Sequence, residues 1–195
     1  MLDFKLINHH KGFPNHTDVP NEYGIYAWFY DFAILRDFVD SREKFQLEVQ
    51  KIIELLKYPV LKSNIQGNLY IKFGGELRHN VDKLSDKFEN QFETEESRHS
   101  FVKITEAFAP LANPLYIGIA TNLRKRYDDH LKDYNEALKN DSGIVNKFGS
   151  RLAERRISPS NLVFGCIPMP KEMASNVQQV EFFLNRIFHP ILGVR

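Results

Sequence analysis

The segment PLYIGIATNLRKRYDDH, residues 114–130, constrains the fold most, because it joins two kinds of secondary structure with almost no loop between them. Its first half is apolar, aromatic and β-branched, which is typical of a strand. Its second half is a charged run that favours a surface helix. We therefore expect a strand over 115–120 and a helix over about 122–139.

The same two kinds of pattern recur along the chain. Strands are predicted at EYGIYAWFY (22–30), NLYIKF (68–73) and NLVFGCI (161–167). Apolar residues at spacings of three and four predict helices over 41–57, 81–92, 101–111 and 171–188, with a shorter helix over 144–156. Gly74 and Gly75 predict a turn that ends the second strand. The expected fold class is α/β, with a small, mostly antiparallel sheet of three or slightly more strands flanked by helices.

Composition limits the classes of function. Of the 195 residues, 43% are hydrophobic and 26% charged, which is enough to build a core. The net charge of +1 means that any surface for an anionic partner must be a local patch. The only cysteine, Cys166, excludes intrachain disulfides and is predicted to be an inert core thiol. Without an apolar run of membrane-spanning length or a signal-peptide pattern, we expect a cytoplasmic protein with no membrane partner.

Two short basic patches stand out from this near-neutral background. One contains Arg124 and Lys125 at the start of the predicted helix, and the other contains Lys147, Arg151 and Arg155. Such patches favour contact with the phosphate backbone of nucleic acids. We therefore interpret these five residues as nucleic-acid-binding candidates.

Three polar residues have the chemistry needed at a phosphodiester. Arg126 and His130 are four residues apart, so a helix places them on one side, where both can point at one phosphate. An arginine offers a planar fork to phosphate oxygens, and a histidine can donate to a phosphate or hold a water. Glu181 lies beside an apolar helical stripe, and a partly buried carboxylate suits a hard divalent cation.

Each of these residues, taken singly, also has an ordinary structural explanation. Arg126 would solvate a helix face, and His130 would be a surface or capped histidine. Glu181 would pair with Lys171 or Arg186. Only their joint spacing favours a site.

That joint spacing resembles the GIY-YIG nuclease family. The tripeptides GIY (24–26) and YIG (116–118) match its two signatures. Tyr116 precedes Arg126 by ten positions and His130 by fourteen, and Glu181 precedes Pro190 by nine, as in that family. The resemblance covers 22–30 and 114–193.

The resemblance implies a divalent-metal-dependent endonuclease that hydrolyses phosphodiester bonds in DNA, one strand per active site. Its implied catalytic residues are Tyr26, Tyr116, Arg126, His130 and Glu181. Glu181 would be the ligand of Mg²⁺, for which Mn²⁺ can substitute. One tyrosine, Tyr26 by preference, would take the proton from the attacking water or orient that water.

The chain departs from the family pattern in two ways. Tyr26 and Tyr116 are ninety positions apart, where the family usually has a short hairpin. We therefore expect a nuclease-like core formed by residues 1–30 and 114–195, interrupted by a mainly helical insertion over 31–113. Gly193 also stands where the family often has an asparagine.

Two other classes of function stay open at this point. One is a non-catalytic nucleic-acid-binding module that keeps the same fold. The other is a protein-interaction domain that works through the insertion. A homodimer is the simplest arrangement if the protein cuts both strands of DNA.

Overall fold

The computed structural model describes residues 4–8, 18–55, 61–66, 72–77, 92–109, 112–139 and 147–193. The strands of this part are β1 (Lys5–Asn8), β2 (Gly24–Tyr30), β3 (Leu61–Gln66), β4 (Lys72–Leu77), β5 (Tyr116–Ala120) and β6 (Leu162–Pro168). Its α-helices are α1 (Arg42–Leu55), α2 (Glu95–Phe108), α3 (Leu123–Lys139), α4 (Phe148–Glu154) and α5 (Ala174–Phe188). Within these residues, no helix has the length and apolar character needed to cross a membrane.

The main sheet has four strands in the order β1-β6-β2-β5, and every neighbouring pair is antiparallel. This arrangement confirms the predicted fold class. β2 and β5 pair directly, with Tyr26 opposite Gly118, although a long segment separates them in sequence. Because the entropy cost of closing a loop grows only logarithmically with its length, such a long connection does not prevent pairing.

Strand β1 was not predicted from the sequence. Its four residues, KLIN, are too few to display an alternating pattern. Pairing with β6 holds the strand in place, with Lys5 opposite Cys166 and Ile7 opposite Phe164. The strand therefore depends on a long-range partner rather than on local sequence preference.

The two faces of the sheet pack against different helices. On one face Tyr26, Trp28 and Phe164 belong to the main hydrophobic core, which also contains buried residues of α3 and α4. On the other face Ile25 and Ile117 form a smaller cluster. That smaller cluster contains Val177 and Leu184 of α5. Side chains alternate between the two faces along β2 and β5, so successive residues pack in different clusters.

The helices of the predicted insertion share the main core. α1 and α2 match the helices predicted over 41–57 and 101–111, whereas the one predicted over 81–92 lies almost entirely outside the described residues. The rings of Phe45, Phe92 and Phe101 pack edge to face, with centroids 5.0–5.9 Å apart. Val102 of α2 lies in the same buried cluster as Trp28 of the sheet.

The sequence predicts one strand in the segment 61–77, whereas the structure has two, β3 and β4. β3 and β4 form a two-stranded antiparallel sheet in which Gly74 pairs with Asn64 and Gly75 with Ser63. The predicted turn at these two glycines is therefore wrong, because their backbone amides and carbonyls are used inside a strand. Residues 68–71 of the predicted strand lie outside the described part of the chain.

Candidate functional site

A cluster of polar side chains forms where β2, β5, α3 and α4 meet. β2 supplies Tyr26, β5 supplies Tyr116, and α3 supplies Arg126 and His130. The rings of Tyr26 and Tyr116 lie 5.9 Å apart, and those of Tyr116 and His130 lie 5.8 Å apart. The structure thus brings together four of the five predicted catalytic residues.

Gly118 makes room for this cluster. A Cβ atom at position 118 would lie 2.6 Å from the Tyr26 hydroxyl oxygen and 2.8 Å from its Cζ. It would also lie 2.9 Å from Cε1 of Tyr116. Since real Cβ atoms do not approach other atoms so closely, the two tyrosine rings require a glycine on β5 at this position.

The Tyr26 hydroxyl is the centre of the hydrogen-bond network. Arg126 donates from Nε to this hydroxyl over 3.1 Å. His130 Nε2 lies 2.9 Å from it on the other side. The hydroxyl oxygen therefore accepts a hydrogen bond from a guanidinium, and an imidazole nitrogen lies within hydrogen-bond distance of the same hydroxyl.

His130 occupies a different position from the predicted one. Its side chain is only 3% exposed and is enclosed by the rings of Phe148 and Trp28. The expectation that it points at a phosphate beside Arg126 is therefore wrong. His130 contacts the Tyr26 hydroxyl and lies deeper in the protein than the exposed Arg126.

Burial and charge keep the His130 imidazole neutral. Burial lowers the pKa of His130 to about 3, and the nearby Arg126 and Arg151 guanidinium groups lower it as well. Within the described residues, Nδ1 of this histidine is buried without a hydrogen-bond partner. A neutral ring with its proton on Nδ1 leaves the Nε2 lone pair free to accept from Tyr26.

Tyr26 is held as a neutral phenol. Burial raises the pKa of Tyr26 far above its usual value, and the neighbouring Tyr116 raises it further, whereas Arg126 lowers it. The Tyr26 side chain is 1% exposed, and that of Tyr116 is half-buried. The two tyrosines therefore differ, with Tyr26 inside the network and Tyr116 nearer to solvent.

Glu181 approaches the cluster from α5. Its carboxylate is partly buried, and burial raises its pKa while Arg126 lowers it. Neither of the partners considered for it from the sequence is seen: Arg186 lies over the ring of Phe182, and Lys171 is exposed. Glu181 is therefore near enough to Arg126 for the guanidinium to lower the pKa of its carboxyl, although α5 packs on the opposite face of the sheet from Tyr26.

Arg151 is the residue whose place the sequence did not reveal. It was expected to contact the nucleic-acid backbone, but its guanidinium carbon lies 5.5 Å from the centre of the Tyr116 ring. Phe148, one turn earlier on α4, packs against Tyr116 and His130 with centroids 4.8 and 5.0 Å apart. Phe148 is the only aromatic residue between Tyr134 and Phe164, so the sequence contains no signal for these contacts, which depend on how α4 crosses α3.

The other basic candidates lie in varied environments. Arg124 donates from Nε to the Val19 carbonyl over 2.9 Å, and Lys147 forms a 2.7 Å salt bridge with Asp133. Lys125 is exposed and Arg155 is half-buried. Lys125 is thus the most accessible of these four for a backbone phosphate.

The residues present fit a magnesium ion in one limited way. No group of three or more His, Cys, Asp or Glu side chains that could hold a metal occurs among the described residues. Glu181 nevertheless offers a partly buried carboxylate that forms no salt bridge with any described residue, and Mg²⁺ commonly takes one or two protein carboxylates while keeping several waters. The donor set therefore suits a weakly held ion completed by water and a phosphate.

Gly193, where the sequence departs from the family pattern, lies close to α5. A Cβ at this position would come within 3.1 Å of the Pro190 carbonyl oxygen and 3.7 Å of the Asn185 side-chain oxygen. Asn185 in turn donates to the Glu181 carbonyl over 3.0 Å. An asparagine side chain one helical turn after Glu181 therefore borders the space beside Gly193.

A cavity of about 510 Å³ lies elsewhere, around the start of α2. Phe92, Phe101 and Ile104 supply apolar lining, and Glu96 is the only charged residue among the described lining residues. These described residues include neither a cation nor a group of the Tyr26 network, so they do not indicate a site of phosphate chemistry.

In comparisons with known proteins, no family model, no curated protein and no solved structure matches this chain.

Proposed function

We propose that this protein is a divalent-metal-dependent DNA endonuclease of the GIY-YIG type, cutting one strand per active site. The observation that carries the proposal is the position of the Tyr26 hydroxyl between Arg126 Nε at 3.1 Å and His130 Nε2 at 2.9 Å. There the hydroxyl of Tyr26 on β2 meets two side chains of α3, the Arg126 cation and the neutral His130 imidazole. This set can bind a phosphate and move a proton.

The proton of the attacking water would pass to Tyr26. As the Tyr26 oxygen accepts that proton, its own hydroxyl proton moves to Nε2 of His130, 2.9 Å away. The water oxygen then attacks phosphorus and the bond to the leaving oxygen breaks. Tyr26 is preferred over Tyr116 because its hydroxyl has the imidazole as a direct recipient.

The arriving phosphate helps this transfer. In the free protein, burial and then the charges of Arg126 and Arg151 lower the pKa of His130. A bound phosphate offsets those two positive charges, so it raises the pKa of the imidazole towards its usual range. Proton acceptance by His130 is therefore easier with substrate bound than in the free protein.

Arg126 would bind the scissile phosphate. Its Nε is bonded to Tyr26, which leaves its terminal nitrogens for the phosphate oxygens, and its side chain is exposed. Glu181 would hold Mg²⁺, which supplies charge stabilisation to the phosphate and the leaving oxygen. Lys125 and the other basic residues of α3 and α4 would extend contact along the DNA backbone.

A plasmid-nicking assay tests the proposal. We expect supercoiled plasmid to become nicked in Mg²⁺ or Mn²⁺ and to stay intact in EDTA. Binding of the plasmid without nicking under all metal conditions would instead favour the non-catalytic module. If the protein neither binds nor nicks the plasmid, the remaining alternative is a protein-interaction domain.

Double-strand cleavage would need a second active site. Because one site cuts one strand, an enzyme that linearises plasmid in one encounter is expected to act as a dimer. Sedimentation of the protein alone and with a duplex oligonucleotide measures this directly. A strict monomer that cuts both strands in one encounter would contradict the one-strand assignment.

A further inference from the structure

The structure places a second arginine at the candidate site in a way that the proposed function does not use. Arg151 lies on α4, 25 residues after Arg126 in sequence. Its guanidinium carbon is 5.5 Å from the centre of the Tyr116 ring, which is a cation–π contact. The tyrosine of the YIG tripeptide therefore carries a cation over its face.

The packing of α4 on α3 fixes this position. At Gly149 a Cβ atom would lie 2.4 Å from the His130 carbonyl oxygen and 2.6 Å from the Tyr134 amide nitrogen. The two helices thus approach more closely than any other residue would permit at that point. Lys147 adds a 2.7 Å salt bridge to Asp133 of α3. Arg151, less than one turn after Gly149, is held against the cluster by these contacts.

Among the described residues, Arg151 has no carboxylate partner of the kind that a partly buried cation normally has. Its Nε is buried and, in the described part of the chain, has no hydrogen-bond partner. Burial lowers the pKa of Arg151, while Tyr116 and Tyr26 are the groups that raise it and no carboxylate contributes. Burying a charge without an opposite charge is costly, so this arrangement suits an anion that arrives from outside.

Arg126 and Arg151 influence the pKa values of the same neighbouring side chains. Both lower the pKa of the buried His130, after burial itself. Both guanidinium groups also interact electrostatically with Tyr26 and Tyr116, which raise the pKa of each arginine. Their positive charges therefore converge on one region beside the two tyrosines.

We propose that Arg151 and Arg126 bind the same phosphate group from two sides, Arg151 being a catalytic residue of the phosphodiester hydrolysis proposed above. The proposal rests on that function for its reaction, but its binding part concerns phosphate alone. Arg126 reaches the phosphate from α3 with its terminal nitrogens, and Arg151 reaches it from α4 over the face of Tyr116. Two guanidinium forks around one phosphate stabilise the extra negative charge that develops on its oxygens during attack.

The test compares Arg151→Gln with Arg36→Gln. Both changes remove one arginine, but Arg36 is exposed and pairs with Glu106, whereas Arg151 lies over the ring of Tyr116. At saturating plasmid, Arg151→Gln is expected to lower kcat by about 10²-fold or more, as removal of a charge-stabilising donor does. Arg36→Gln is expected to leave kcat and KM within about twofold of wild type, because Arg36 belongs neither to the candidate site nor to the basic patches. An unchanged kcat in Arg151→Gln would overturn the proposal.

A second measurement separates this proposal from the proposed function. Inorganic phosphate, compared with chloride at matched ionic strength, is expected to raise the Tm of the wild-type protein because it binds the folded state. Trp28, the only tryptophan of the sequence, lies beside His130 and reports unfolding there. Arg36→Gln is expected to keep the rise, whereas Arg126→Gln and Arg151→Gln each lose it.

The two arms have distinct outcomes. If the protein nicks no DNA, the proposed function fails, and the phosphate arm alone decides whether the two arginines share an anion. A wild-type Tm that phosphate does not raise, or a rise that Arg151→Gln retains in full, would overturn the shared site. Arg151→Lys serves if Arg151→Gln does not fold. It keeps a cation over Tyr116 but loses the planar pair of donors, so it is expected to nick at least about tenfold more slowly than wild type.

Discussion

Gly118 lies directly opposite Tyr26 in the paired strands β2 and β5, and the Tyr26 ring fills the volume that a side chain at position 118 would need. The glycine is therefore a condition for the hydrogen bonds that Tyr26 makes with Arg126 and His130. The strand-to-helix segment 114–130 holds this glycine and both of those residues. A single short segment thus determines most of the geometry of the site.

The first prediction concerns that close approach. Gly118→Ala would place a methyl group 2.6 Å from the Tyr26 hydroxyl oxygen, so Tyr26 must move. Overpacking of this kind is expected to destabilise the protein by about 1–3 kcal/mol and to break the contacts with His130 and Arg126. Denaturant unfolding and the nicking rate measure the two effects. Gly193→Ala is the matched control, because its Cβ would come only within 3.1 Å of a carbonyl oxygen. Equal stability losses in the two variants would contradict the role given to Gly118.

A second prediction distinguishes the two tyrosines. Tyr26→Phe removes the hydroxyl that lies 2.9 Å from His130 Nε2, so the nicking rate should fall by orders of magnitude. Loss of these hydrogen bonds should lower the unfolding free energy by no more than about 1–2 kcal/mol. Tyr116→Phe keeps the ring below Arg151 and leaves the Tyr26–His130 pair intact, so its loss of rate should be much smaller. A larger loss of nicking in Tyr116→Phe would assign the proton transfer to Tyr116 instead.

The third prediction is a pH dependence of stability. The pKa of His130 is lowered to about 3 by burial in the folded protein, whereas an unfolded histidine has a pKa near 6.5. The unfolded state therefore binds more protons between these two values, and stability falls as the pH decreases from about 6.5. From pH 7 to pH 5 this one group should remove about 2 kcal/mol of stability.

His130→Gln isolates that contribution, since glutamine does not titrate. Guanidinium unfolding at pH 7 and pH 5 should show a smaller pH-dependent loss in this variant than in the wild type. The difference between the two proteins cancels the other titrating groups. Equal losses would mean that His130 is protonated in the folded state and does not lie in the buried environment described above.

The sequence predicted much of the sheet and most of the site, because the spacings that carry it are local. Arg126 and His130 share one helix, and the strands of Tyr26 and Tyr116 have strong aromatic and β-branched patterns. The burial of His130 was missed, although a signal existed. Leu123, Tyr127 and His130 are spaced by four and three, and they form the buried stripe of α3.

Features that depend on long-range packing could not be predicted in the same way. Strand β1 needs β6 as a partner, and β4 needs β3, so neither follows from its own residues. The place of Arg151 depends on the close crossing of α3 and α4 at Gly149. A glycine inside a helix is visible in the sequence, but the helix against which it packs is not.

A fourth prediction concerns the affinity for the metal ion. Glu181 is the only carboxylate assigned to the ion, so binding of Mg²⁺ to the free protein should be weak and should strengthen when DNA adds its phosphate. Calorimetry with and without a duplex oligonucleotide checks this expectation. Tight binding by the protein alone would contradict a site built on one carboxylate.

The most direct test of the central claim is the rate of plasmid nicking in Mg²⁺ by Glu181→Gln. Glutamine keeps the shape of the side chain but loses the charge that attracts a hard cation. Glu172→Gln, an exposed change just before α5, is the matched control. We predict that Glu181→Gln lowers the nicking rate by orders of magnitude while DNA affinity stays the same or rises, and that Glu172→Gln does neither. Near-wild-type nicking by Glu181→Gln would contradict the proposed mechanism.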